Sequence, residues 1–148
     1  MSAKKISFSE QARDKNIRGA TKLADAVRVT VGPKAKCMLI DKKWGKPLVC
    51  DDGVTIAKEI DLEDPEENIG AMLLREAAER TGDLVGDGTS SSTIIAHAIV
   101  TEGIKNVVAG ASAIELKKGL ERALAIVVND IKSHSRAVET QKEKAQIA

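Results

Sequence analysis

Between Thr89 and Val108 the residues Ile94, Ile95, Ile99, Val100, Ile104, Val107 and Val108 recur at helical spacings, yet they spread around much of the helix circumference. A helix apolar on so many sides needs neighbours on several of them, so this segment is expected to be central and buried in a mainly α, multihelical fold. The flanking sequence supplies further helices. Ser9 caps one whose apolar stripe is Ala12, Ile17, Ala20, Leu23, Ala24 and Val27, and Gly32-Pro33 ends that element. Asp52-Gly53 opens a short helix to about Glu59. Asp64-Pro65 opens a longer one to about Asp83, with Pro65 at the first helical position and Glu66-Glu67 placed to favour the dipole. Ser112 caps a last long helix with Leu116, Leu120, Ala123, Leu124, Val127 and Ile131 on one face and a charged, solvated face opposite. Residues 37–41 and 47–51 read as two short strands around a Lys43-Trp44-Gly45-Lys46 turn, and residues 4–7 as a short N-terminal strand.

The central helix begins in an unusual way. Gly86-Asp87-Gly88 is followed by five hydroxyl residues, Thr89, Ser90, Ser91, Ser92 and Thr93. A helix start leaves backbone N–H groups unpaired and carries partial positive charge, and the two glycines let a ligand approach the backbone closely. With Asp87 as an anion able to hold Mg²⁺ against phosphate oxygens, the segment reads as a phosphate site built without a P-loop lysine. The same residues also fit a capped helix after a turn, its hydroxyls serving only the backbone. On the residues alone both readings stand.

Composition excludes more than it assigns. Hydrophobic residues are 43% and charged residues 30%, a balance ordinary for soluble domains, and 148 residues are enough for one sizeable core. A net charge of +1, with one Phe, one Trp and no Tyr, offers neither a basic surface nor stacking platforms for nucleic acid. No apolar run reaches the roughly 18 residues of a membrane span, and no signal-peptide core is seen near the N-terminus. The simplest localisation is the bacterial cytoplasm, with a mature mitochondrial or plastid protein as the alternative. Cys37 and Cys50 lack metal-ligand spacing. A hairpin between them makes a disulfide geometrically conceivable, but free thiols are the expectation in a reducing compartment. His97 and His134 lie in helical contexts without catalytic partners, and His97 reads as a helix-face residue.

Four segments together carry a resemblance. These are residues 25–34, Asp51-Asp52-Gly53-Val54-Thr55-Ile56-Ala57-Lys58-Glu59-Ile60, the Gly-Asp-Gly-Thr run, and Ile99-Val100-Thr101-Glu102-Gly103. In order and spacing, from about Ile6 to Ala148, the chain resembles the group I chaperonins (the GroEL/Hsp60 family). The resemblance implies the N-terminal half of the chaperonin equatorial-domain fold over residues 1–133, with residues 134–148 opening an intermediate domain. It implies ATP and Mg²⁺, with K⁺ as a further cation. Thr30, Val31, Gly32 and Pro33 would form one phosphate loop, and Asp87, Gly88, Thr89, Ser90 and Ser91 the other. Asp87 would be the Mg²⁺ carboxylate, and Asp52 a catalytic acidic residue ordering metal or water near the γ-phosphate. Such a site would work by positioning and charge stabilisation. The implied partners are further chaperonin subunits in a homo-oligomeric ring. Unfolded proteins and a co-chaperonin would bind only through domains beyond these residues.

Departures from the family pattern bear on the site. Asp51 stands where the family usually has Lys, Ser90 and Ser91 where it has Thr, and Ala35-Lys36 where it has Gly-Arg. The expectation is weakened or retuned nucleotide handling, with Ala35 strained if its position needs positive φ. The resemblance also makes the chain an N-terminal fragment of an ATP-hydrolysing folding machine, without the family's catalytic-base aspartate and prone to self-association. One alternative is an oligomerisation fragment without ATP turnover, whose 37–51 hairpin adds strands to a neighbour and whose Trp44 anchors the contact. The other, a nucleotide enzyme of a different type, is disfavoured by the lack of GxxxxGK[ST].

Overall fold

The computed structural model describes residues 10–42 and 45–147. The proposed strand at residues 4–7, the Ser9 cap, Lys43 and Trp44 lie outside the described residues. The chain divides into two compact units, one ending at Ile104 and the other beginning at Lys105.

In the first unit the elements run α1 (Glu10–Arg28), β1 (Met38–Ile40), β2 (Leu48–Cys50), α2 (Gly53–Glu59), α3 (Pro65–Val85) and most of α4 (Thr89–Val108). Local chemistry explains the helix starts. Asp64 Oδ1 accepts from the Glu66 and Glu67 amides, Pro65 follows in the first turn, and Gly86 ends α3 in the left-handed region at φ 78°. Helix α1 stops at Arg28, earlier than the Gly32-Pro33 signal. It closes in tight turns from the Thr30 amide to Val27 O and from the Val31 amide to Arg28 O, before Gly32 turns at φ 93°.

Helices α1 and α3 pack through small residues. Their buried faces are Gly19, Ala20, Leu23, Ala24 and Val27 against Glu67, Gly70, Ala71, Leu74 and Ala78. The approach is close enough that a Cβ at Gly19 would lie 1.7 Å from Glu67 O, and one at Gly70 1.8 Å from Asn16 O. Ion pairs clamp the margin of this contact. Lys15 bridges Asp64 and Glu66 at 2.8 and 3.0 Å, while Arg18 and Lys22 both hold the Glu67 carboxylate. Lys22 and then Arg18 keep that carboxyl ionised below its ordinary range. Helix α2 adds Ile56 and Ala57 to the core, and Val54, Ile60, Leu62 and Ala96 pack on its edge.

The two strands form an antiparallel ribbon, pairing Met38 with Cys50, Leu39 with Val49 and Ile40 with Leu48. Alternation turns the Leu39–Val49 pair outward and half-buries the other four side chains. Both cysteines are free. Cys50 pairs with Met38, and Cys37 lies one residue outside the ladder.

Helix α4 corrects an expectation. Its bounds are as the sequence suggests, but its buried residues are Thr89, Thr93 and His97, whereas Ile95, Ile99 and Val100 are 59%, 46% and 43% exposed. The helix lays a polar stripe at spacing i, i+4, i+8 against its neighbours. Of its large apolar side chains, Ile95, Ile99, Val100 and Val108 are exposed among the described residues, while Ile94, Ile104 and Val107 are half-buried.

The second unit holds the end of α4, α5 (Ala113–His134) and α6 (Gln141–Ile147). Ser112 caps α5 through the Glu115 amide, and none of the helix's residues is buried. Helix α6, absent from the sequence reading, starts at a reciprocal capping box. Thr140 Oγ1 accepts the Glu143 amide, and Glu143 Oε2 accepts the Thr140 amide and hydroxyl.

Candidate functional site

Two helix N-termini meet in the first unit. At α2, Asp52 is the cap, its Oδ2 accepting the Thr55 amide at 2.9 Å and the Thr55 hydroxyl at 2.6 Å. The Thr55 hydroxyl is the main reason the Asp52 carboxyl sits below its ordinary range, so it is a fixed anion at neutral pH. Asp52 also receives help from behind, because its amide donates to Cys50 Sγ at 3.3 Å. The next residue, Gly53, abuts α4. A Cβ there would fall 2.2 Å from Ser90 Oγ and 3.0 Å from Ser90 Cα. Glycine at 53 is therefore what lets the Asp52 end of α2 reach the start of α4.

That start is an open cradle. Gly86 and Gly88 adopt φ 78° and 77°, and added Cβ atoms there would meet nothing within 4 Å. Asp87, between them, is exposed, and its Oδ1 accepts the Gly88 amide at 2.6 Å. The first intrahelical bond of α4 runs from the Ser92 amide to Gly88 O. The Thr89, Ser90 and Ser91 amides thus have no acceptor among the described residues, and the helix dipole adds positive potential at the same place.

The hydroxyl run divides between the two roles the sequence left open. Ser92 and Thr93 donate to Thr89 O at 2.9 and 2.8 Å, serving the helix itself. Thr89 is buried, its methyl facing Gly82. Ser90 is half-buried and Ser91 exposed, and neither hydroxyl makes a hydrogen bond among the described residues. These two remain available to a ligand.

The Thr30–Pro33 loop follows α1 and is exposed apart from a half-buried Thr30. The Thr30 hydroxyl donates to Val27 O at 2.8 Å, so the unused donor of this loop is the Gly32 amide. The Ala35 amide to Gly32 O and the Lys36 amide to Val29 O close the loop. Ala35 is not strained, since no non-glycine residue among those described has positive φ. No hydrogen bond or ion pair among the described residues joins this loop to the 87–91 turn. Asp51 is exposed and forms no ion pair among the described residues.

A single exposed carboxylate beside unpaired amides fits Mg²⁺ carried with a polyphosphate. That ion keeps waters and takes one or two protein carboxylates with substrate phosphates. The chemistry does not fit a protein-only metal cage, as no group of three or more His, Cys, Asp or Glu able to hold a metal occurs among the described residues. An apolar cavity of about 290 Å³ lies elsewhere, lined in part by Asn16, Ile17, Leu73, Ala96, Val100 and Ile104, and none of the phosphate-site candidates borders it.

Sequence reasoning missed the Thr55 contact that fixes Asp52 and the role of Gly53. The pattern Asp-x-x-Thr at a helix start was the available signal for the first. It also missed that His97 is buried, with its Nε2 3.0 Å from Thr21 Oγ1 of α1.

Comparisons with known proteins agree with this architecture. Residues 23–148 match the TCP-1/cpn60 chaperonin family. Chaperonin GroEL 5 of Bradyrhizobium diazoefficiens is 57% identical over 148 residues, covering all of this chain and 27% of that protein. A group III chaperonin in its open state superposes with a TM-score of 0.73 at 28% identity, over 86% of this chain and 25% of that one. The chain thus spans about a quarter of the length of these relatives.

Proposed function

The chain belongs to the TCP-1/cpn60 chaperonin family, and from that premise we propose that it forms the phosphate-binding half of an ATP site in an ATP-dependent folding chaperonin of the group I type. The observation that carries this reading is the pairing of unpaired α4 amides with Asp87 and, across Gly53, with Asp52. The higher identity to a GroEL than to the group III structure supports the subgroup. Residues 1–133 would be the equatorial part and residues 134–148 the start of the intermediate part.

In this reading the Ser90 and Ser91 hydroxyls, the 89–91 amides and the Gly32 amide bind phosphate oxygens, and Asp87 holds Mg²⁺. The bound metal would supply charge neutralisation between phosphates. Asp52, kept ionised by Thr55, orients a water or the metal's hydration shell. Asp51 adds a negative charge beside it, which weakens attraction for a polyphosphate. The resemblance places the family's general base outside these residues, so what they supply is the phosphate and metal contacts. Cytoplasmic location, K⁺ and assembly into rings belong to the same proposal.

A second reading has its own observation. Leu39 and Val49 are 70% and 64% exposed on the outer face of a two-stranded ribbon, which suits strand addition to another subunit.

Native mass spectrometry with and without Mg-ATP tests the first reading. One nucleotide per chain is expected, with binding about tenfold weaker or worse in Asp87→Asn. No bound nucleotide, or equal binding by the variant, would overturn it.

A further inference from the structure

The apolar cavity lies between α1, α3 and α4, away from the phosphate-site candidates. Its floor is the close crossing of α1 and α3, where Ala20, Gly70 and Leu74 are buried. Ile17 and Ile104 are half-buried, while Val100 and Arg13 are exposed, so the space opens to solvent on one side. Neither a carboxylate nor an aromatic ring lines it. An apolar cavity of roughly 150 Å³ holds benzene, so one of about 290 Å³ accommodates on the order of ten heavy atoms.

Arg13 and Asn16 are the polar part of the lining, neighbours on one face of α1. The other four cations of that helix each hold a carboxylate. Lys15 holds those of Asp64 and Glu66, Arg18 and Lys22 share that of Glu67, and Arg28 holds that of Asp25. Arg13 is exposed and makes no ion pair among the described residues. Asn16 Oδ1 is buried without a hydrogen-bond partner, and its Nδ2 has no acceptor among the described residues either, so nothing commits this amide. The two side chains thus share unused N–H donors beside an apolar space.

We propose that this cavity is a binding site for a medium-chain alkyl carboxylate, with its tail among Ile17, Val100 and Ile104 and its carboxylate on the Arg13 guanidinium and Asn16 Nδ2. Each feature of the ligand follows from a feature of the lining. Aliphatic walls without an aromatic ring suit an alkyl chain. One guanidinium, with no carboxylate in the lining to compete for it, balances one negative charge. Its fork matches a carboxylate with two parallel N–H···O bonds, so a monoanion suits it better than a phosphate dianion. The volume sets the chain at about eight carbons. This site is independent of the 87–91 turn and stands whether or not that turn binds phosphate.

The probe is octanoate, titrated below its micellar concentration into the full chain and followed by ¹³C-methyl NMR, with 1-octanol as its uncharged counterpart. Saturable shifts are expected at Ile17, Val100 and Ile104 with both probes, octanoate binding the more tightly. Arg13→Gln, a surface change, should weaken octanoate about tenfold and leave 1-octanol unchanged. Ala96→Leu, which puts a larger side chain into the lining, should abolish binding of both, with circular dichroism showing the fold retained. If that variant does not fold, the Arg13→Gln comparison still decides. No saturable shift at these methyls, or equal octanoate affinity in Arg13→Gln, overturns the site. Shifts centred on Ile69 and Met72 also overturn it, because they place the probe on the exposed face of α3 outside the cavity.

Discussion

Asp52 performs two tasks that substitution can separate. As a helix cap it satisfies the Thr55 amide, and as a fixed anion it stands next to Gly53, which abuts Ser90 at the start of α4. Asp52→Ala should cost about 1 kcal/mol in urea unfolding, whereas Asp52→Asn, an equally good cap, should cost less than about 0.5 kcal/mol. Any larger effect of the Asn variant on nucleotide affinity then reports the charge. The carboxyl is held low chiefly by the Thr55 hydroxyl, so its capping contribution is complete above the unfolded carboxylate pKa. It disappears as pH falls through the lowered folded value. Thr55→Val should move that loss to higher pH, which unfolding curves between pH 5 and 2 would show.

At the scale of elements, glycine decides whether helices can meet. Ala at Gly19 or Gly70 would drive a methyl into a backbone carbonyl of the facing helix, with no flexible side chain to give way. Each should lower stability by about 3 kcal/mol, at the upper end of overpacking costs. Gly119, in the middle of α5 with open space around it, should behave oppositely. Gly119→Ala is expected to stabilise by about 0.5–1 kcal/mol through helix propensity alone. Urea midpoints of the three variants check both signs. The same contrast shows what was legible in the sequence. The starts of α2, α3 and α5 could be read because Asp52, Asp64-Pro65 and Ser112 act on amides within three residues of themselves. The Thr140–Glu143 box was equally local and simply went unread. The close crossing at Gly19 and Gly70 was not legible, because it depends on residues about fifty positions apart. Nor was the face of α4, whose apolar spread shows that the helix wants partners without saying which side these residues cover. For the site, the Gly-Asp-Gly-Thr turn was visible as a motif. Only the fold shows that Gly53 carries Asp52 to Ser90.

For the whole molecule, the balance between buried and exposed apolar surface sets behaviour in solution. The core of the first unit is built largely from alanine, while Ile69, Met72 and Leu73 on α3 remain 51%, 52% and 64% exposed. A contiguous patch of this kind favours association. Sedimentation velocity should show assembly growing with concentration, and Met72→Lys with Leu73→Lys should reduce it. A monodisperse wild-type chain over a hundredfold range would contradict that expectation. The central claim, however, is that unpaired α4 amides and Asp87 receive the phosphates of a Mg-nucleotide. The most direct measurement is backbone amide chemical-shift mapping during a Mg-ADP titration, repeated with excess EDTA. The account predicts saturable shifts at Gly88, Thr89, Ser90, Ser91 and Gly32 that require the metal, with α5 unaffected. Shifts centred on the apolar cavity near Ile17 and Val100, or none at the 87–91 turn at saturating nucleotide, would contradict it.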